Sequence, residues 1–202
     1  MNNIKLINDD CMNVMKDYEN NYFDLAIVDP PYGIKRNKMN MGNSIFNSDK
    51  KKWDNSIPTK YYFKELFRVS KNQIIWGGNY FDLPSSQYFA IWDKGETMYG
   101  RDFAECEYAW IKKGGTRIYK KNPNQKDRIH PTQKPVKLYE WLLKNYSKKE
   151  YRILDTHLGS GSSAIASYYF GVKEFVGIEL DKEYFETMNK RFKEQTKQIK
   201  LF

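Results

Sequence analysis

The stretch FDLAIVDPPY, residues 23–32, decides the fold prediction, because an apolar segment stops there at a rigid turn. Its first six residues are apolar except for Asp24 and are partly β-branched, which is typical of a short buried strand. Pro30 and Pro31 cannot continue a central strand, since each lacks the N–H group that pairing requires. Asp29 therefore follows the carboxyl end of a strand, where open α/β sheets bind ligands. Its carboxylate, the Pro30 carbonyl and the Tyr32 ring suit a planar base with an exocyclic amine; an ordinary surface turn is the alternative.

The composition is that of one globular domain. The chain has 202 residues, of which 40% are hydrophobic and 29% are charged. No apolar run approaches the length of a membrane span, and the first residues lack the apolar core of a signal peptide. We therefore expect a cytoplasmic protein that does not contact a membrane. The two cysteines, Cys11 and Cys106, are too few for a disulfide framework or a zinc cluster, so no metal site is expected.

The charge balance favours a polyanionic partner. Lys and Arg number 34 against 25 Asp and Glu, which gives a net charge of +9. Nucleic acid or an acidic membrane surface would suit such a chain, although a basic protein without such a partner is also possible. Segments 33–58 and 95–128 carry much of the charge without an assignable motif, which predicts mobile loops or DNA-recognition segments. The candidate DNA contacts are Lys35, Arg36, Lys38, Arg117, Lys120 and Lys121.

Strand and helix patterns alternate along the rest of the chain. Predicted strands cover 4–7, 73–76, 88–92, 106–111, 151–155 and 174–179, and predicted helices cover 11–18, 59–69, 135–146, 162–170 and 181–195. The stretch 112–128 is predicted to be irregular. Alternating strands and helices indicate an α/β fold with a doubly wound, mostly parallel sheet. No linker divides the chain, so residues 1–202 are predicted to form a single domain.

A second signal is the stretch DTHLGSGS, residues 155–162. It places a glycine-rich turn between a strand and a helix, where a ligand can approach the backbone and the free N–H groups of the helix start. Glu179 ends the next predicted strand, the usual place for an acceptor of ribose hydroxyls. The stretch therefore predicts a cradle for a nucleoside-containing cofactor.

The same stretch also fits a dinucleotide fingerprint, with Gly159, Gly161 and Ala164 at the required spacing. An NAD-dependent enzyme is therefore a rival hypothesis. Asp155 counts against it, because a carboxylate beside the cradle suits a cationic amino-acid group better than a pyrophosphate. The chain also has no recognisable hydride-transfer site, and the rival leaves the DPPY motif unexplained.

Together, DPPY at 29–32 and DTHLGSGS at 155–162 resemble the motifs of the DNA amino-methyltransferases. The segment IHPTQKP at 129–135 resembles the one that precedes the cofactor motif in that family. The resemblance spans nearly the whole chain, and the motif order is similar to that of the β-class, which includes many phage and restriction-modification enzymes. It implies a Rossmann-like methyltransferase fold with circularly permuted motifs. The chain departs from the family at Thr156-His157, where the family usually has Pro-Phe.

The resemblance implies S-adenosylmethionine as the cofactor. Asp155 would lie near the methionine ammonium, and Glu179 would accept from the ribose hydroxyls. Asp10 would contact the adenine amine beside Cys11, although helix N-capping by Asp10 is an equally open alternative. Thr132 and Lys134 would close the methionine end. The full implied set is Asp10, Cys11, Thr132, Lys134, Asp155, His157, Gly159, Ser160, Gly161, Ser162 and Glu179.

The resemblance also implies a catalytic set, namely Asp29, Pro30, Pro31 and Tyr32, that acts on a base flipped out of double-stranded DNA. Tyr32 would stack on the base, while Asp29 and the Pro30 carbonyl would accept the amine hydrogens. In this family an Asp at position 29 resembles the adenine-N6 enzymes more than the cytosine-N4 enzymes. Adenine is therefore the expected target, with cytosine-N4, RNA methylation and a catalytically inactive DNA-binding relative as alternatives. The protein is expected to be a monomer or a homodimer.

Overall fold

The computed structural model describes residues 3–34, 56–102, 104–125, 128–130 and 132–197. Within these residues, strands and α-helices alternate except between residues 70 and 120, where four strands follow one another without an intervening α-helix. The strands are β1 (Asn3–Asn8), β2 (Phe23–Val28), β3 (Ser70–Trp76), β4 (Tyr88–Asp93), β5 (Cys106–Ile111), β6 (Arg117–Lys120), β7 (Arg152–Asp155) and β8 (Glu174–Glu179). The α-helices are α1 (Cys11–Lys16), α2 (Lys60–Val69), α3 (Val136–Tyr146), α4 (Ser162–Phe170) and α5 (Lys182–Lys197).

One sheet contains all of these strands, in the order β1-β8-β7-β2-β3-β5-β4-β6. Strands β1, β8, β7, β2 and β3 are parallel to one another, and β6 is parallel to β4. Among the described strands, only β5 runs antiparallel to both strands that flank it. The predicted α/β fold with a mostly parallel sheet is therefore confirmed.

The sheet is buried on both faces, because its central strands alternate apolar side chains between two cores. Leu25 and Ile27 of β2 belong to the core that also contains residues of α3, α4 and α5. Ala26 and Val28 belong to the opposite core, with residues of α1 and α2. Continuous apolar strands of this kind are typical of parallel sheets covered by helices on both sides.

The layer arrangement creates a crevice between β2 and β7. Strand β2 leads through α2 to β3 on one side, and β7 leads through α4 to β8 on the other. The two connections cross opposite faces, so the chain reverses direction of winding between β2 and β7. Ligands of open α/β sheets bind at such a switch point, outside the carboxyl ends of the strands. Residues 29 and 155 follow or end these two strands.

One prediction about regular structure was wrong. The stretch 112–128 was expected to be irregular, but it contains β6, which pairs with β4. The sequence pattern was misleading because β6 is a four-residue edge strand with exposed Arg117, Ile118 and Lys120. The described helices include none that is long and apolar enough to cross a lipid bilayer.

Candidate active site

A cleft of about 720 Å³ opens at the switch point. The backbones of β2 and β7 are neighbours there, since Leu25 pairs with Ile153 and Ala26 with Leu154. The cleft is bordered by Asp29 and Pro31 of the predicted catalytic set. Of the predicted cofactor set, it is bordered by Asp10, Cys11, Thr132, Lys134, His157, Gly159, Ser160 and Glu179. Two stretches that are far apart in the sequence therefore meet in one cavity.

Of the predicted residues, Tyr32 does not border the cleft, and four others lie behind its wall. Asp155 is only 2% exposed, and Ser162 is buried at the start of α4. Gly161 precedes α4 with φ 73°, and a β-carbon on this residue would lie 2.5 Å from the Met188 side chain of α5. Pro30, which is part of the DPPY loop, is buried. These residues support the cavity wall from inside the protein.

The Asp29 carboxylate is held by two donors. The Tyr32 hydroxyl donates to Oδ1 at 2.6 Å, and the Lys134 ammonium donates to Oδ2 at 2.6 Å. Each carboxylate oxygen has two acceptor positions, so both can accept a further hydrogen bond. The structure therefore fixes the orientation of Asp29 and leaves it acceptor capacity. Lys134, which was predicted at the methionine end of the cofactor, has its ammonium on the catalytic loop.

Tyr32 is the aromatic wall of this loop. Its ring stacks on that of Tyr80, with ring centroids 4.9 Å apart and planes inclined by 12°. The centroid of the Phe81 ring lies 6.2 Å from that of Tyr32, in an edge-on arrangement. Burial raises the pKa of the Tyr32 hydroxyl well above its usual value, and the neighbouring Asp29 carboxylate adds to this effect. The hydroxyl therefore stays protonated and acts as a donor to Asp29.

A chain of buried charges continues beyond Lys134. Its ammonium lies 3.0 Å from Oε2 of Glu107, and Lys94 lies 2.9 Å from Oε1 of the same carboxylate. Burial would raise the pKa of Glu107, but the ammonium groups of Lys134 and Lys94 outweigh it and lower the pKa to about 2. Burial likewise opposes the charge of Lys134, yet Asp29 and Glu107 keep its pKa above the ordinary value. The Glu107 carboxylate and the Lys134 ammonium are consequently charged at neutral pH.

The glycine turn is fixed from β8 and α5. Glu179 accepts from the Gly159 N–H at 2.8 Å and from the Asp181 N–H at 2.9 Å. From α5, the guanidinium of Arg191 donates to the Ser160 carbonyl at 2.6 Å and to the Ser162 hydroxyl at 3.2 Å. Arg191 is only 7% exposed. The turn is therefore preorganised by one carboxylate and one buried guanidinium.

Asp155 ends β7 directly behind the turn. Its carboxylate accepts from the Ser163 hydroxyl and, at 3.0 Å, from the His157 N–H. Burial nevertheless raises the pKa of Asp155 to about 7, against the lowering effect of these two hydrogen bonds. A buried carboxyl that titrates near neutrality beside a ligand cleft is a common feature of functional sites.

The residues that depart from the family pattern form a small polar cluster. The Thr156 hydroxyl lies 2.7 Å from the Tyr62 hydroxyl and 2.9 Å from Nδ1 of His157. The His157 ring also meets the Tyr62 ring edge-on, with centroids 5.4 Å apart. Burial lowers the pKa of His157 to about 4, so its ring is neutral at pH 7. Hydrogen bonds and a ring contact thus tie Thr156 and His157 to Tyr62 of α2.

The opposite wall is built from the first helix and from the segment before α3. Asp10 caps α1 by accepting from the Met12 N–H at 2.8 Å, and its position on the cleft leaves the predicted cofactor contact open as well. Burial raises the pKa of the Cys11 thiol to about 12, which keeps that thiol protonated and unreactive. Thr132 donates its backbone N–H to Nδ1 of His130 at 3.3 Å and orders the start of this segment.

The predicted DNA contacts divide into two groups. Arg117, Lys120 and Lys121 lie exposed on or beside the edge strand β6. The Lys120 ammonium lies 2.5 Å from the Glu96 carboxylate, which partly neutralises its charge. The other three predicted contacts, Lys35, Arg36 and Lys38, fall outside the described residues.

Sequence reasoning missed Glu107, Lys94, Tyr62 and Arg191. Glu107 and Lys94 lie far from the motifs in sequence, and neither stands in a recognisable pattern. Arg191 offered a weak signal, because it falls three residues after the buried Met188 on the inward face of α5. The same position also fits the basic, solvated end of the helix, so the sequence alone does not separate the two interpretations.

Comparison with known proteins agrees with this geometry. A family model described as DNA methylase matches residues 85–190. The type II methyltransferase M2.MboI of Moraxella bovis is 23% identical over 249 aligned positions, which cover 98% of this chain and 90% of that protein.

Two solved structures share the fold. The M1.HpyAVI–SAM complex superposes with a TM-score of 0.62 at 22% identity and covers 93% of this chain and 99% of its own. The PvuII DNA methyltransferase, described as cytosine-N4-specific, also has a TM-score of 0.62, at 10% identity, and covers 96% of this chain and 90% of its own.

Proposed function

We propose, from the premise that this chain belongs to the DNA methylase family, that it transfers a methyl group from S-adenosylmethionine to the N6 amine of adenine in duplex DNA. The observation that carries the proposal is the shared cleft, which Asp29 borders from the end of β2 and the glycine turn borders from the end of β7. Methyl transfer requires the target amine and the cofactor to be held side by side. A hydrogen-bond acceptor for the amine and a cofactor cradle on neighbouring strand ends would hold them in this way.

The cleft fits the proposed cofactor in size and in chemistry. Its volume of about 720 Å³ lies within the usual range of small-molecule sites. Glu179 and Asp10 offer carboxylates for the ribose hydroxyls and the adenine amine. Leu180 borders the cleft and is 70% exposed, which provides an apolar surface for the purine ring. When bound, this cofactor supplies a methyl group activated by a sulfonium.

The residues of the DPPY loop would bind the target amine. Asp29 and the Pro30 carbonyl would accept its two hydrogens, which directs the nitrogen lone pair toward the cofactor side of the cleft. Tyr32 would stack on the flipped base. Because Asp29 is already oriented by two donors, the acceptor geometry needs no rearrangement when the base arrives.

The test is methyl transfer by the purified protein to duplex DNA, followed by mass spectrometry of the digested nucleosides. We expect N6-methyladenine, and N4-methylcytosine alone would refute the choice of base. An equimolar RNA competitor should not reduce transfer to DNA, and preferred methylation of the RNA would refute the DNA assignment. Absence of any transfer to a mixed-sequence DNA library would refute the proposal as a whole.

Replacement of Asp29 separates catalysis from cofactor binding. Asp29→Ala should reduce transfer by about 100-fold or more, since a charged acceptor for the amine is lost. The dissociation constant for S-adenosylmethionine, measured by calorimetry, should change less than threefold. Asp24→Ala is the matched control, because Asp24 lies in β2, the strand that leads to Asp29, and has its own lysine partner, Lys71 at 2.7 Å. This variant should keep the wild-type activity. A large loss of cofactor affinity in Asp29→Ala would assign this residue to the cofactor pocket instead.

Sequence recognition would involve the segments 33–58 and 95–128. Arg117 and Lys121 are exposed there and suit contacts with phosphates, which position a protein on DNA without reading its sequence. Binding to DNA should weaken steeply between low and moderate salt. Arg117→Gln should make the logarithmic salt dependence shallower by about one unit; an unchanged slope would exclude Arg117 from the phosphate contacts.

A further inference from the structure

We propose that Glu107, assisted by Lys94, is a positioning residue for methyl transfer, because it holds the Lys134 ammonium that orients the Asp29 carboxylate. The inference rests on the proposed function, in which Asp29 accepts the amine of the target base. It adds a role for two residues that belong to neither half of the site.

The contacts form one continuous chain. Lys94 reaches Oε1 of Glu107 at 2.9 Å, and Lys134 reaches Oε2 of Glu107 at 3.0 Å. The Lys134 ammonium then contacts Oδ2 of Asp29 at 2.6 Å. On the other oxygen of Asp29, the Tyr32 hydroxyl completes the arrangement at 2.6 Å. Every link between Lys94 and the DPPY loop is therefore at the distance of an ion pair or a hydrogen bond.

Burial makes this chain sensitive to the loss of any member. The side chains of Lys94, Lys134 and Glu107 are 8%, 3% and 13% exposed. The two carboxylates, Asp29 and Glu107, balance the two ammonium groups, so no charge is left uncompensated while all four are present. Removal of one buried partner leaves a buried charge uncompensated, which strongly destabilises the folded state. The intact set, in contrast, contributes little to stability compared with an apolar core. A set of this kind therefore indicates a purpose other than stability.

The fold explains how Glu107 reaches the site. Strand β5 runs antiparallel to β3 and β4, so its first residues lie at the edge where the parallel strands end. Glu107 is the second residue of β5 and pairs with Trp92 of β4, which lies two residues before Lys94. The reversal of one strand thus brings an acidic side chain to the carboxyl edge of the sheet, beside the loop that follows β2.

Two aromatic rings and two carboxylates hold the Lys134 ammonium in a defined position. Its ammonium lies 5.2 Å from the centroid of the Trp76 ring and 5.8 Å from that of the Tyr32 ring. Glu107 and Asp29 draw it from two sides between these rings. Without Glu107 the ammonium would follow Asp29 alone, and the carboxylate would lose its fixed direction. A displacement of about 1 Å in a catalytic group is enough to lower a rate by about 100-fold.

A competing role for Lys134 has the opposite consequence. If its ammonium merely occupied the place of the substrate amine, Lys134→Met would free Asp29 and would raise kcat or lower KM for DNA. Under our proposal the same substitution lowers kcat. The sign of the effect therefore separates positioning from blockage.

The experiment measures kcat, KM for DNA and the dissociation constant for S-adenosylmethionine in the full-length protein. Glu107→Gln keeps the shape of the side chain and removes its charge, so we expect kcat to fall by about 10- to 100-fold. KM for DNA and the cofactor dissociation constant should stay within threefold of the wild type. Glu107→Gln should also add less than twofold to the loss in Lys134→Met, because it acts through Lys134. A wild-type kcat, or independent effects of the two substitutions, would overturn the inference.

Glu174→Gln is the matched control. Glu174 is likewise a buried glutamate, with Lys5 at 2.7 Å and the Tyr22 hydroxyl at 2.8 Å, but it lies at the amino end of β8. The kcat of Glu174→Gln should equal that of the wild type. A fall in kcat equal to that of Glu107→Gln would show that both substitutions act through stability.

Should Glu107→Gln fail to fold, Lys94→Met tests the same chain from its far end. We expect at least a threefold lower kcat with an unchanged cofactor dissociation constant, and a wild-type kcat would overturn the inference. Wild-type activity is measured in parallel. If the proposed function is wrong, the wild-type protein itself will transfer no methyl group; if only the positioning role is wrong, the wild type and the variant will both be active.

Discussion

Gly77 lies so close to Tyr32 that a β-carbon on residue 77 would stand 2.3 Å from the tyrosine ring. Gly77 follows β3 with a left-handed φ of 67°, and its N–H donates to the Tyr108 carbonyl at 2.8 Å. The backbone after β3 therefore forms part of the seat of the Tyr32 ring. Only glycine fits this contact, both for its conformation and for the space available.

Gly77→Ala should consequently displace Tyr32 and abolish most of the activity. The shifted ring would break the hydrogen bond from the Tyr32 hydroxyl to Asp29, so we expect a fall in kcat of about 100-fold. The backbone strain of a left-handed alanine is only about 1 kcal/mol, so any larger loss of stability would come from the contact with Tyr32. Steady-state kinetics and urea unfolding measure the two effects.

The control for backbone strain is Gly100→Ala. Gly100 has a similar φ of 69°, but nothing lies within 4 Å of the place that a β-carbon on this residue would occupy. Its free energy of unfolding should fall by about 1 kcal/mol, and that of Gly77→Ala should fall further because of the contact with Tyr32. Equal losses of stability together with wild-type kcat in Gly77→Ala would refute the role of this glycine.

Arg191 should be required for cofactor affinity, although it is not placed on the cleft. It holds the Ser160 carbonyl and the Ser162 hydroxyl from behind the glycine turn. Arg191→Met removes these charged hydrogen bonds, worth about 1.5–3 kcal/mol each. We expect the dissociation constant for S-adenosylmethionine to rise about 10-fold, as measured by calorimetry.

Lys193→Met provides the comparison, since Lys193 is exposed on the same helix and loses the same charge. Its cofactor affinity should equal that of the wild type. If Arg191→Met also binds the cofactor normally, the glycine turn does not depend on α5.

Part of this site could be predicted from the sequence because each of its two motifs is a short, continuous stretch of residues. The DPPY turn at 29–32 and the glycine turn at 155–162 each follow a recognisable strand, and the rules of parallel sheets place strand ends at one edge. The charges around Lys134 could not be predicted, because Glu107 reaches it only through the reversal of β5. Strand β6 was missed for a related reason: its pairing partner, and not its own polar residues, makes it a strand.

Asp155 should make the folded state more stable as the pH falls. Its pKa is about 7 in the folded protein, against an ordinary value of 3.8 that applies to the unfolded chain. Between these values the folded state binds the additional proton, so stability decreases as pH rises from about 4 to 7 and the contribution is lost above 7. The full shift corresponds to about 4 kcal/mol. In Asp155→Asn this contribution should be absent, so the free energy of unfolding should fall relative to that of the wild type as the pH is lowered from 7 to 4. Urea unfolding at a series of pH values would detect the difference, and a pH profile equal to that of the wild type would refute the assignment.

His157 should act in the opposite direction over nearly the same range. Its pKa is about 4 in the folded protein against 6.5 in the unfolded chain. The unfolded state therefore takes up the proton first, and stability decreases as pH falls from about 6.5 to 4. The backbone N–H of His157 donates to Asp155, so the two groups lie close together. Because their contributions to stability have opposite signs, they largely cancel in the wild type.

The cancellation can be tested by removing one titration at a time. His157→Gln keeps a polar side chain near Thr156 and cannot take up a proton. Its free energy of unfolding should therefore rise by about 3 kcal/mol between pH 7 and pH 4, while that of Asp155→Asn falls over the same interval. The double variant should again show a shallow pH dependence, because both titrating groups are gone. Identical pH profiles for the wild type and both single variants would show that neither group titrates with the shifted pKa that its burial implies.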